Sequence, residues 1–232
     1  MSPRPGGESD KLGNKFELAW AIRHALSCVL NDRCALIVED NDTEVGRGSE
    51  FTYNTGHFIE VHHVKRQNGN SNGWTVRELA DRKIFEVAAR HVVAGRHYRF
   101  VSLTPCRPLQ ELSERARQSE DLADFINHWL TGDLSAVFDQ VSAVEVLASP
   151  QAAWDTLRGM WFSVIDECEL IRTNSMLAEC NFSGADGRLV SLAIGDVLLD
   201  NLGKRLTRTE LLDLLAERDI KPRFREAYQT AH

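Results

Sequence analysis

Residues 58–65 read Phe-Ile-Glu-Val-His-His-Val-Lys, an apolar run with ionisable groups where a buried strand is normally uncharged. Side chains alternate between the two faces of a strand. Ile59, Val61, His63 and Lys65 therefore share one face, and Phe58, Glu60, His62 and Val64 the other. A metal ligand or base two residues before a lysine, on one face, suits phosphodiester cleavage, because the lysine neutralises charge developing on the phosphate. Glu60 falls on the opposite face and is set aside as the acid of such a site. A divalent metal would need hard oxygen ligands around an attacking water. Glu17, Glu39, Asp40 and Asp42 are the carboxylates at hand.

Each of these residues also has a plain structural reading. The 39–42 cluster fits a solvated turn, and Glu17 fits a surface position. Lys65 could mark a strand end and snorkel to water. His62 and His63 could be edge residues or satisfied core histidines. No histidine or cysteine at ligand spacing supports zinc.

The elements that would position these groups follow from periodicity. Phe16, Trp20, Ile22, Ala25, Leu26 and Val29 recur at helical spacing and predict a helix over 12–30. Strands are predicted at 35–38, 46–53 and 56–65. Residues 68–73, Asn-Gly-Asn-Ser-Asn-Gly, form a loop by composition. A helix follows over 74–93, with Thr75 as N-cap and Glu78 completing a capping box. A fourth strand, 98–103, is stopped by Pro105. Two strands that bracket a helix imply a parallel crossover, hence an α/β fold. Beyond Pro108 the pattern predicts helices at 109–118, 122–130, 134–141, 150–160, 167–179, 190–202, 207–218 and 222–228, with one strand at 144–147.

The 232 residues suffice for a full core. Apolar residues make up 43% and charged ones 26%, a globular composition with no run long enough to span a membrane. Residues 1–11 read as a polar disordered tail without the apolar stretch of a signal peptide. Five scattered cysteines without a C-x-x-C pair fit a reducing, cytoplasmic setting. The net charge of −7 divides into +1 over residues 1–100 and −8 over 101–232. The acidity therefore resides in the second part, and the near-neutral first part could still meet a phosphate backbone.

Three segments carry a resemblance: Gly13-Asn14-Lys15-Phe16-Glu17, Val38-Glu39-Asp40-Asn41-Asp42 and His63-Val64-Lys65-Arg66-Gln67. With the α-β-β-β-α-β order, they resemble the restriction-endonuclease-like PD-(D/E)xK superfamily. Within it they look like the double-stranded-DNA nuclease domain found at the N-terminus of bacterial antiphage effectors. Gly73-Trp74-Thr75-Val76-Arg77-Glu78-Leu79 and Phe100-Val101-Ser102 resemble further segments of that group. The resemblance implies a nuclease core over 12–108 and a helical connector over 109–232. It implies Asp42, His63, Lys65 and Glu17 as catalytic, and Asp42, Asp40, Glu39 and His63 around Mg²⁺ or Mn²⁺. Lys65, Arg66, Gln67 and Arg77 would contact DNA. It implies double-stranded DNA as partner and activation by oligomerisation or by an attached STAND-type ATPase. His63 stands where the family has Glu or Gln, and no G-x-x-x-x-G-K-[ST] phosphate loop occurs in the chain. The competing expectation is a catalytically inactive module of the same fold, used for DNA docking or assembly scaffolding.

Overall fold

The computed structural model describes residues 8–39, 49–66, 73–147, 149–184 and 186–223, the first seven of these (8–14) as backbone only. In chain order the elements are α1 (Glu8–Leu30), β1 (Ala35–Val38), β2 (Phe51–Asn54), β3 (Ile59–Lys65), α2 (Val76–Asp81), α3 (Ile84–Val93) and β4 (His97–Ser102). Then come α4 (Arg107–Gln118), α5 (Leu122–Asp124), α6 (Asp133–Ser142), α7 (Pro150–Gly159), β5 (Met160–Val164), α8 (Glu167–Asn181), α9 (Gly187–Asp200), β6 (Leu206–Thr207) and α10 (Arg208–Ala216). The α/β class expected from the sequence is the one observed.

The chain divides into two compact units, residues 1–57 with 166–232, and residues 58–165. The sequence-based boundary at 108/109 falls inside the second of these, within the first turn of α4. In the first unit, β1 lies between β2 and β6, antiparallel to both. Phe16, Ala25 and Leu26 of α1 are buried there, as are Leu170 and Ala178 of α8 and Val190 and Ile194 of α9. Asn174 ties two of these helices together by donating its amide to the Ala19 carbonyl at 2.7 Å. Helices α8 and α9 approach closely at Gly187, where an added Cβ would collide with the Ser175 carbonyl.

In the second unit, β3, β4 and β5 run parallel in the order β5-β4-β3. The crossover between β3 and β4 is the predicted helix, broken in two. Thr75 and Glu78 make the expected reciprocal cap of α2, and Lys83 then takes a left-handed φ of 60° before α3 begins. Val61, Tyr98, Phe100 and Met160 project into an apolar core shared with Leu79, Ile84, Phe85, Leu112 and Leu157. The expected strand at 144–147 is a 3₁₀ turn (Glu145–Leu147), and the expected helix at 122–130 passes from α5 into a π-helical turn at Phe125–Trp129. The predicted helix ending at 160 stops at Gly159, and Met-Trp-Phe-Ser-Val continues as β5. Aromatic and branched residues pack well on a pleated surface. Gly159 meets Val92 so closely that a larger residue there would displace α3 from α7.

His91 is fully buried on α3, its ring stacked on Tyr98, and its Nε2 has no hydrogen-bond partner among the described residues. Burial first, then the charges of Arg90 and Arg96, push its pKa down to about 4. The unfolded chain takes up this proton near 6.5, before the folded chain does. Unfolding free energy should therefore fall as pH drops from about 6.5 toward about 4. In denaturant titrations, His91→Phe should flatten that slope; an unchanged slope would show that His91 does not cause it. Gly187→Ala should lower stability by about 2–3 kcal/mol in the same assay, through backbone overpacking.

Candidate functional site

Strand β3 presents two chemically different faces. His63 lies on the core side, 7% exposed, with its ring 6.1 Å from that of Tyr98 and 6.2 Å from that of Phe100. Lys65 shares this face and is half-buried at the end of the strand, paired in register with Ser102. Ser102 receives a 2.6 Å hydrogen bond from the Trp74 indole. Arg66 is half-buried beyond the strand end. Arg77 is exposed on α2 and lies 3.8 Å from Asp81 one turn away. Asp40, Asp42 and Gln67 lie outside the described residues.

In the first unit, Glu39 follows β1 with a left-handed φ of 51°, and its N–H donates to the Glu50 carbonyl at 2.8 Å. Glu17, Glu39 and Glu50 line a cavity of about 110 Å³ together with Leu18, Val38 and Phe51. The structure thus brings together Glu17 and Glu39, with Glu50 as an acid the sequence reading did not single out. Of the expected metal ligands only Glu39 and His63 are described, and they belong to different compact units.

The opposite face of the parallel strands carries a connected ionisable network. Glu60, set aside on sequence grounds, is its hub. Arg99 Nη2 meets Glu60 Oε1 at 3.0 Å, and Arg99 Nε meets Oε2 at 3.4 Å, so the guanidinium fork straddles the carboxylate. His62 Nε2 lies 3.1 Å from Oε2. Arg99 Nη1 donates to the Ser163 hydroxyl at 3.2 Å. Parallel registry explains the convergence: His62 pairs with Arg99 and Arg99 with Trp161, so all three side chains emerge on one face. Over the Trp161 ring lie two guanidinium groups, Arg117 at 4.0 Å and Arg99 at 5.6 Å. Arg117 is anchored from α4 by donating to the Ser113 hydroxyl and the Met160 carbonyl. A row of rings continues the face. His97 stacks on Phe58 at 4.4 Å and faces Trp161 at 6.2 Å, and Phe58 is 39% exposed.

Charge follows from these contacts. Burial, the largest influence on Glu60, pushes its pKa upward. The hydrogen bonds from His62 and Arg99, with their charges, together outweigh it and hold the value at about 2. Arg117 is lowered from its ordinary value, chiefly by burial and further by the nearby Arg99 charge, while Glu114 opposes this. Two guanidiniums thus share one aromatic platform, with the ionised Glu60 paired to one of them and the Glu114 charge near the other. Cation–π stacking and a carboxylate fork hold them in place.

Sequence reasoning missed Glu60, Arg99, Arg117, Trp161, Ser163 and His97 as a group. The usable signal was His97-Tyr98-Arg99-Phe100, in which polar residues alternate with aromatics. It marks a strand with one polar face and one core face.

No family model matches the sequence, and no curated protein matches it. Solved structures do resemble the fold. The Acinetobacter baumannii Cap4 SAVED/CARF-domain containing receptor aligns with a TM-score of 0.52 at 10% identity, over 94% of this chain and 47% of that one. The same receptor with the cyclic trinucleotide 3′3′3′-cAAA aligns with a TM-score of 0.52 at 10% identity, over 94% and 45%. With 2′3′3′-cAAA the TM-score is 0.51 at 10% identity, over 88% and 45%. The chain therefore spans less than half the length of the receptors it matches. The expectation of a metal-dependent endonuclease acting on double-stranded DNA is corrected by this. The similar structures are described as receptors, two of them with a cyclic trinucleotide, and the His63 face of β3 is committed to the aromatic core. Among the described residues no helix is long and apolar enough to cross a membrane.

The pH dependence of stability checks the central contact. A carboxylate held at about 2 when folded, against 4.5 for its ordinary value, contributes stability that is complete above about 4.5. That contribution is lost as pH falls toward about 2. Glu60→Gln should remove this acid limb from the stability profile of the folded chain; a limb of unchanged size would assign it to other carboxylates.

Proposed function

We propose that this chain is a nucleotide-recognising module of a cyclic-oligonucleotide-responsive antiphage receptor. The observation that carries the proposal is the convergence of Arg99 and Arg117 on Trp161, beside the Ser163 hydroxyl. A phosphodiester offers two anionic oxygens that match a guanidinium fork, and a second guanidinium can take the same charge from the other side. The Phe58–His97 pair supplies an exposed aromatic ledge next to these cations. Base stacking on aromatic rings is sequence-tolerant and worth about 1–3 kcal/mol per base. The fold likeness to a cyclic-trinucleotide receptor over most of this chain supports the same reading.

The roles divide accordingly. Arg99 and Arg117 hold phosphate, Trp161 keeps both cations in place, Ser163 orients Arg99, and Phe58 with His97 receives a base. Calorimetric titration of 3′3′3′-cAAA into the folded chain should show saturable binding that weakens as salt rises. Arg99→Ala and Arg117→Ala should each weaken it by about tenfold or more, as expected for loss of a charged hydrogen bond. Arg99→Lys should rescue only part, since an ammonium cannot fork. Absence of any binding by the wild-type chain would overturn the proposal.

A further inference from the structure

We infer that Glu60 is a built-in occupant of the phosphate position on Arg99, which a nucleotide must displace in order to bind. The inference rests on the proposed nucleotide reading of this face and concerns how the site is held closed.

The edge of a guanidinium that presents Nε and Nη2 is the edge that takes a carboxylate or a phosphate in bidentate fashion. In Arg99 this edge is already taken. Glu60 supplies one oxygen to each of the two nitrogens. The remaining terminal nitrogen donates to Ser163. A phosphodiester and the Glu60 carboxylate present the same pair of oxygens and cannot occupy the fork together. Binding at Arg99 is therefore an exchange of one anion for another, and not the filling of a free cation.

The surroundings of Glu60 make that exchange feasible. Its Oε2 also lies 3.1 Å from His62 Nε2, so a carboxylate released by Arg99 keeps the imidazole as an ion-pairing neighbour in a place where it is only 8% exposed. An ionised carboxylate left there with no donor would be strongly unfavourable. Arg99 also keeps its position during the exchange, because Ser163 and the Trp161 ring hold it from sides that Glu60 does not use. The side chain of Arg99 is 24% exposed, against 10% for that of Glu60, so the ligand approaches from the arginine side. Arg117 is the cation the ligand meets without displacing Glu60, since its anchors are Ser113 and the Met160 carbonyl.

The consequence is a threshold. An anion that reaches only Arg99 exchanges one charged hydrogen-bonded pair for another and gains little. An anion that reaches Arg99 and Arg117 together, and adds a stacked base, gains the surplus needed to displace the carboxylate.

Titration calorimetry with 3′3′3′-cAAA on wild type, Glu60→Gln, Glu60→Asp and Arg99→Ala tests this. Glu60→Gln keeps the shape and removes the charge that competes with phosphate. It should bind about tenfold tighter than wild type, the scale of one charged hydrogen bond. Glu60→Asp, one methylene shorter, should fall between them, and it carries the test if Glu60→Gln fails to fold by circular dichroism. A residue that only positioned Arg99 would give the opposite sign, weaker binding on substitution. Unchanged or weaker binding by both Glu60 variants, with wild type binding and Arg99→Ala binding more weakly, would overturn the displacement while leaving the nucleotide reading in place. No binding by wild type or by any variant would overturn the nucleotide reading and the displacement with it.

Discussion

A carboxylate buried within a parallel sheet is the constraint around which the second unit is arranged. Glu60 cannot remain ionised in that position without partners, and Arg99, which donates to it, and His62, 3.1 Å away, are what the neighbouring register position supplies. Removing either partner would leave a charge in a poorly solvated place, which costs more than the pair itself contributes. Arg99 in turn needs support, and Ser163 and Trp161 on β5 provide it. The third strand thus completes the network as well as the sheet.

The two faces of the same strands divide the work. One face commits Val61, His63, Tyr98, Phe100 and Met160 to packing against the surrounding helices. Burial there is non-directional and tolerates an aromatic-like histidine ring among aromatic neighbours. The other face carries charges whose geometry is fixed by hydrogen bonds and cation–π contacts. Fixed geometry lets a guanidinium distinguish a two-oxygen anion from a point charge.

Much of the framework was legible in the sequence. Helical spacing located α1, and the β3–α2–α3–β4 order correctly implied a parallel crossover. The Thr75–Glu78 capping box was readable because it depends only on local spacing. The alternation of 58–65 correctly paired His63 with Lys65 and separated Glu60 from both. It did not tell which face would be the core, because both faces of β3 are largely buried. That choice depends on the helices that cover the sheet and on β5, which was not predicted and of which only Met160 fell within a predicted helix. Arg99 and Trp161 come together through strand registry and Arg117 through the packing of α4 on β5, with 64 positions separating Arg99 from Ser163, so no local motif announces them. The motif that did stand out, His63-x-Lys65, gained its weight from resemblance, and the packing of His63 against Tyr98 and Phe100 supplies a structural reason for a histidine there.

Ligand binding at this face turns on one exchange, phosphate for carboxylate at Arg99. The most direct measurement is a crystal structure of the chain soaked or grown with 3′3′3′-cAAA. A phosphodiester oxygen is expected within hydrogen-bond reach of the Arg99 fork and of Arg117, with Glu60 turned to His62 alone. A trinucleotide bound elsewhere, or bound with the Glu60–Arg99 pair intact, would contradict it.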